Sequence, residues 1–259
     1  MSKLNYGCQD LTVVISGGTS GIGLATAKKL LDDGAKVYLL GRDKARGVAA
    51  LETLREQTGQ EAYFIACNII KKASCEEALA AVGKLEAKAD WHLDILVNSA
   101  GVYAEQRLEN MTEEDYAAIM DTNVKGTMLL TQVCLPKMYQ SGSIINIASD
   151  AGVSGNYGCP VYCASKGAIV SLTRALALDL APHIRVNCVC PADVDTPLLA
   201  RQLVEADGGY TLEDMAAAYP IGRIGRAEEI AHVICGLASP ANGFMTGSIV
   251  TVDGGLTAG

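Results

Sequence analysis

The chain has no Cys-x-x-C pair, no run of basic residues and no apolar stretch approaching 18 residues. Each absence excludes a class of protein. Nine cysteines is an odd count in a chain long enough for a full core, and a disulfide scaffold is not expected. They are read instead as small buried hydrophobes in a reducing cytosol, which makes cytoplasmic localisation the expectation. The densest grouping is Cys159, Cys163, Cys188 and Cys190, with His183 nearby in sequence. Cys188 and Cys190 flank Val189 and should point to one face of a strand, so no metal site is expected. With 21 basic against 29 acidic residues the net charge is −8, and neither nucleic acid nor a membrane is an expected partner. The apolar runs are too short to read as membrane spans. The opening M-S-K-L-N-Y-G-C-Q-D lacks the charged and apolar regions of a signal peptide. Internal repeats, low-complexity tracts and linkers are also missing, so residues 1–259 are expected to form one domain.

The composition does supply a core, with 49% apolar and 19% charged residues. Short β-branched runs alternate with longer helical patterns, which predicts an α/β fold with a parallel sheet covered on both faces. Strands are expected at 11–16, 35–40, 63–67, 93–98, 143–148, 184–190 and 248–252. Helices are expected at 21–33, 44–58, 74–88, 112–138, around Tyr162 as far as Pro182, and at 226–238. The 112–138 helix opens on Glu113, Glu114 and Asp115, an acidic turn that suits the helix dipole. This is a Rossmann-type, doubly wound, seven-stranded arrangement.

Two motifs carry chemistry. S-G-G-T-S-G-I-G at 16–23 lies between the first strand and the first helix. Glycines 17, 21 and 23 permit a tight turn and close approach to a pyrophosphate, whose charge a helix N-terminus stabilises. The second motif lies in the stretch Asn146–Lys166, where Ser149 ends a strand and Tyr162 and Lys166 are four residues apart. That spacing puts a phenol and an ammonium on one helical face. A nearby cation favours the phenolate and draws its pKa down from about 10.

The glycine spacing G-x-x-x-G-x-G, N-S-A-G at 98–101, Asn123, Ser149, Tyr162, Lys166, V-N-C-V-C-P at 186–191, Thr196 and T-G-S-I-V-T-V-D-G-G at 246–255 occur in one order. Together they resemble the short-chain dehydrogenase/reductase family, in its compact branch of about 250 residues. The resemblance covers nearly the whole chain. It implies hydride transfer between the nicotinamide of NAD(P) and a ketone or secondary alcohol. Tyr162 would be the general acid/base. Moving its pKa from about 10 to about 7 would need roughly 4 kcal/mol, shared by Lys166 and the nicotinamide charge. Lys166 would also bond the nicotinamide ribose. Ser149 would donate to the substrate oxygen, and Asn123 would hold a water that links Lys166 to solvent. The implied dinucleotide contacts are Gly17, Thr19, Ser20, Gly21, Ile22, Gly23, Arg42, Asn68, Ile69, Asn98, Ala100, Gly101, Tyr162, Lys166, Pro191, Val194 and Thr196.

NADP(H) is favoured over NAD(H). The family's acidic position follows the second strand, and with that strand ending at Leu40 the position holds Gly41. Arg42 follows and suits a 2′-phosphate, while Asp43 is read as an N-cap. Asn68, Ser99 and Ala192 depart from the family's usual residues without touching the acid/base group. A substrate lid is expected at about 193–220, helical and mobile, with a hinge at Gly208–Gly209. The substrate class stays open among free cyclic, polyol and steroid-like alcohols. A 3-oxoacyl chain on a carrier protein is an alternative, less favoured because Arg174–Arg185 is mostly apolar and carries Asp179. A non-catalytic dinucleotide sensor would need a damaged acid/base set. The family also implies a homo-oligomer, a tetramer or dimer.

Overall fold

The computed structural model describes residues 4–138, 141–205 and 209–259. Seven strands form one parallel sheet: β1 (Thr12–Ser16), β2 (Lys36–Gly41), β3 (Tyr63–Ala66), β4 (Ile95–Asn98), β5 (Gly142–Ile147), β6 (Ile184–Pro191) and β9 (Ile249–Val252). Their order is β3-β2-β1-β4-β5-β6-β9, with the reversal of winding between β1 and β4 that opens a crevice at the carboxyl ends. Every residue of β1, β4 and β5 is buried, as continuous apolar runs require in a sheet covered on both faces. One apolar layer forms around Val13, Ile15, Leu30, Ile145 and Ile234. Another forms around Val14, Leu96, Leu130 and Ile144.

The helices are α1 (Gly21–Asp32), α2 (Lys44–Thr58), α3 (Lys72–Glu86), α4 (Glu113–Met120), α5 (Thr127–Cys134), α6 (Pro160–Leu180), α7 (Pro197–Glu205), α8 (Leu212–Ala217) and α9 (Ala227–Ala238). The single helix expected at 112–138 is split. Its middle, Asp121–Gly126, widens into a π-helical turn, and its end tightens into a 3-10 turn at Leu135–Lys137. Thr112 caps α4 in a reciprocal capping box with Asp115. The π turn holds Asn123 inward, where Val102 supplies backbone partners for its amide. Such turns occur where a helix is bent to serve a site.

Helix α6 is long and apolar enough to cross a bilayer by length and composition, although Lys166, Arg174 and Asp179 interrupt its apolar run. Here it packs on β6 and on the 3-10 turn Asp150–Gly152, with Lys166 and Thr173 on its buried face. Two further strands, β7 (Val194–Asp195) and β8 (Gly225–Arg226), form a small parallel pair that closes the base of the 193–220 segment. Gly208, half of the expected hinge, lies outside the described residues, as does Asp207.

One buried carboxylate ties three elements together. Glu86, the last residue of α3, accepts from Tyr38 OH at 2.9 Å, Thr12 Oγ1 at 3.2 Å and Lys36 Nζ at 3.1 Å. Burial alone would raise its pKa, but Lys36, Tyr38 and Thr12 outweigh that and hold it below the usual carboxylate range. A lowered folded pKa gives stability that is present above about pH 4.3 and lost as the pH falls through the folded value. Glu86→Gln should therefore cost about 1–3 kcal/mol at pH 7. In urea unfolding, the gap from the unsubstituted chain should narrow below about pH 4.

Candidate active site

A cavity of about 690 Å3 opens at the carboxyl ends of β1, β2, β4, β5 and β6. The glycine turn forms one wall. Gly17 and Gly21 adopt φ of 67° and 52°, and a Cβ at Gly17 would stand 2.8 Å from the backbone of Ala100. Ser20 occupies the N-cap of α1 but makes no side-chain capping bond, so the first-turn N–H groups are left for an anion. Thr19, Ser20, Ile22, Asn68, Ile69, Ala100, Gly101, Pro191, Val194 and Thr196 also line this cavity. The turn therefore fits the pyrophosphate of a dinucleotide.

Two expected contacts lie elsewhere. Gly23 is outside the lining, and a Cβ there would fall 2.4 Å from the Gly17 carbonyl oxygen, so its role is to let α1 close on the turn. Asn98 is also outside the lining. Its Nδ2 donates to Asn146 Oδ1 at 2.9 Å and to Thr131 Oγ1 at 3.0 Å, inside the sheet. β2 also runs one residue further than expected, so the first residue beyond it is Arg42 rather than Gly41. Asp43 caps α2 by accepting from Arg46 N at 3.1 Å. Sequence reading missed Arg46, which lines the same end of the cavity as Arg42. Its position three residues after a capping aspartate, in the first helical turn, was the available signal.

At the opposite end Ser149, Tyr162 and Lys166 share one wall. Lys166 is buried, with Nζ donating to the Ile147 carbonyl at 3.0 Å and lying 5.7 Å from the centre of the Tyr162 ring. Burial pulls its pKa down to about 8, against which the facing Cys188 and Cys190 act weakly. Burial pushes the Tyr162 phenol well above its ordinary range. The Ser149 hydroxyl works against this, while the Asp150 and Asp193 carboxylates add to it. Tyr162 is thus held as a phenol. Tyr103 packs edge-on against Tyr162, with ring centres 4.8 Å apart.

Asn123 sits behind this wall. Its Oδ1 accepts from Val102 N at 2.8 Å, and its Nδ2 donates to Val102 O and to Ser165 Oγ, each at 3.0 Å. It meets Lys166 across Gly101, where a Cβ would lie 3.3 Å from Asn123 Oδ1 and 3.5 Å from Lys166 Nζ. Over the cavity, α7 presents Leu198, Leu199, Arg201 and Gln202, α8 presents Met215, and Tyr210 lies just before α8. Tyr219 OH donates to Asp193 Oδ2 at 2.7 Å and closes the base of this cover. Tyr210 OH donates to Glu105 Oε2 at 3.0 Å and joins its outer edge to the body. Neither clasp was read from the sequence, because the partners are separated by 26 and 105 positions. The nine cysteines are all free thiols. Among the described residues no cluster of His, Cys, Asp and Glu could hold a metal.

A phosphate turn at one end of a crevice and a phenol–ammonium pair at the other define a dinucleotide-dependent oxidoreductase on a doubly wound sheet. Comparison with known proteins narrows the class. The family described as enoyl-(acyl carrier protein) reductase matches residues 17–257. An uncharacterised oxidoreductase of Thermotoga maritima is 37% identical over 96% of this chain and 98% of its own. A 3-oxoacyl-(acyl-carrier-protein) reductase of Chlamydia trachomatis is 32% identical over 95% and 96%. The NAD-dependent glycerol dehydrogenase of Listeria innocua is 35% identical over 98% and 96%. Among solved structures, actinorhodin polyketide ketoreductase with NADPH superposes with a TM-score of 0.89 at 30% identity, covering 95% of this chain and 97% of that one. The chain belongs to the short-chain dehydrogenase/reductase family. It is an oxidoreductase of CH–OH and C=O groups in small molecules, with NAD(P) as acceptor.

The buried lysine has a measurable cost. Its pKa falls from about 10.4 in a free lysine to about 8 here, so keeping it charged opposes folding at neutral pH by about 3 kcal/mol. Lys166→Met removes that cost but leaves the Ile147 carbonyl without its donor, a loss of about 1–2 kcal/mol. The variant should gain about 1–2 kcal/mol at pH 7 while losing dinucleotide affinity. The gain should shrink as the pH rises from 8 to 10, read by urea unfolding at each pH.

Proposed function

We propose that this protein transfers a hydride between NADP(H) and a ketone or secondary alcohol, with Tyr162 as general acid/base. The observation that carries the reading is the meeting of Ser149, Tyr162 and Lys166 on one cavity wall, opposite Arg42 and Arg46. The nicotinamide dinucleotide, when bound, supplies or takes the hydride. Everything else falls to side chains of this chain. Tyr162 OH delivers a proton to the substrate oxygen in reduction and removes it in oxidation. Lys166, one of whose N–H bonds is spent on Ile147, has two left for the ribose and for the phenol's charge. Because burial, with the Asp150 and Asp193 carboxylates, keeps Tyr162 protonated, its ionisation is to be drawn down by Lys166 and by the charge of the oxidised nicotinamide together. Ser149 contacts the reacting oxygen.

Arg42 and Arg46 support the 2′-phosphate form. Both border the cavity beyond the end of β2, and no carboxylate occupies the first position past that strand. Asp43 caps α2 through Oδ1 and pairs with the Arg46 guanidinium through Oδ2 at 3.3 Å, which leaves Arg42 as the cation of the two without a partner among the described residues. The Arg42 guanidinium suits a phosphate dianion by charge-assisted bonds of about 1.5–3 kcal/mol each, and Arg46, shared with Asp43, adds a second positive group beside it.

In a screen of carbonyls and alcohols with both dinucleotides, Tyr162→Phe should lower turnover at least a thousandfold and leave NADPH binding within about twofold. Retained turnover would remove Tyr162 from the acid/base role. Arg42→Ala should raise the KM for NADPH about tenfold or more and leave that for NADH nearly unchanged. An equal rise for both would argue against the phosphate contact.

A further inference from the structure

The hydroxyl of Ser149 is already committed, and Asp150 is what commits it. Ser149 Oγ lies 2.6 Å from Asp150 Oδ1. A carboxylate has no proton to give, so Ser149 is the donor in that contact. Ser149 Oγ also accepts from Ala151 N at 3.2 Å, in the turn that follows β5. A hydroxyl has one proton and two lone pairs. With the proton on Asp150 and one pair on Ala151, a single lone pair is left to face the cavity. Asp150 is well placed to hold this arrangement. It is 5% exposed, and its other oxygen accepts from Asn156 Nδ2 at 3.3 Å.

We propose that Asp150 is a positioning residue that orients Ser149 to meet the reacting oxygen as a hydrogen-bond acceptor. The inference rests on the reading of this cavity as the hydride-transfer site. It reverses the expected donor role of Ser149. While Tyr162 is protonated, a bound alcohol can accept from Tyr162 OH and donate its own O–H as a hydrogen bond to that lone pair, keeping its proton until Tyr162 ionises; a ketone oxygen has no O–H to donate and takes its hydrogen bond from Tyr162 OH alone. Asp150 also competes with the oxygen of Tyr162 for the one Ser149 proton. The site thus holds the alcohol more tightly than the ketone, relative to a site in which the serine is free to rotate.

Kinetics in both directions, with cyclohexanol and cyclohexanone as the probe pair, test this. The overall equilibrium and the two dinucleotide dissociation constants together set the ratio of the two kcat/KM values, so that ratio reports on dinucleotide binding; the ratio of the two KM values reports on how the site holds alcohol against ketone. Asp150→Ala should lower KM for the ketone relative to the alcohol about threefold to tenfold, the worth of one hydrogen bond. The same substitution made in Ser149→Ala should move the ratio less than twofold, because Asp150 then has no serine to orient. Asp150→Ser gives the same reading should Asp150→Ala fail to fold. An unchanged KM ratio, an equal shift in both backgrounds, or a fall in kcat in both directions at constant ratio would each overturn the proposal. Turnover surviving Tyr162→Phe would instead count against the reading of the site and leave the KM ratio measurable.

Discussion

The active-site wall hangs on a short chain of buried amides and hydroxyls. Asn98 at the end of β4 is paired in register with Asn146 on β5, and its amide donates to the Asn146 oxygen. Asn146 Nδ2 then donates to Thr173 Oγ1 on α6 at 2.9 Å. Thr131 on α5 joins from the other side. Asn146 and Thr173 are fully buried and Asn98 nearly so. A polar group left unpaired in that interior would cost about 1–3 kcal/mol, so a slip of one residue in the β4–β5 register, or a rotation of α6, is strongly penalised. Tyr162 and Lys166 ride on α6, and Ser149 follows β5. Their spacing is therefore set by a network whose members lie outside the lining of the cavity.

Above that scaffold the electrostatics oppose the chemistry of the bare chain. Burial holds Lys166 near the point of losing its proton and holds Tyr162 firmly to its own. Asp150 and Asp193, both at the cavity, push the phenol further in the same direction. Such a site stores strain that a positively charged partner relieves, which links dinucleotide occupancy to acid/base competence in the mechanism proposed here. The cover formed by α7 and α8 is clasped at its base by Tyr219–Asp193 and at its edge by Tyr210–Glu105.

The amino-acid sequence by itself determined the parallel sheet, the phosphate turn and the phenol–ammonium pair. Each of these is written in local spacing: alternating runs, glycines at fixed offsets, and two residues one helical turn apart. It also located Asp43 as a helix cap, because capping acts over three residues. What it could not determine were properties that depend on distant neighbours. The inward turn of Asn98, the π-helical turn at Asn123 and the two clasps of the cover all required packing partners to be in place. The sense of the Ser149 hydrogen bond belongs with them. Asp150 is adjacent in sequence, but whether its carboxylate points at the hydroxyl depends on the turn after β5 and on Asn156. Local pattern reports which groups are present at a site. Burial and the direction of each hydrogen bond arise only when the chain closes on itself, and those decide how each group acts.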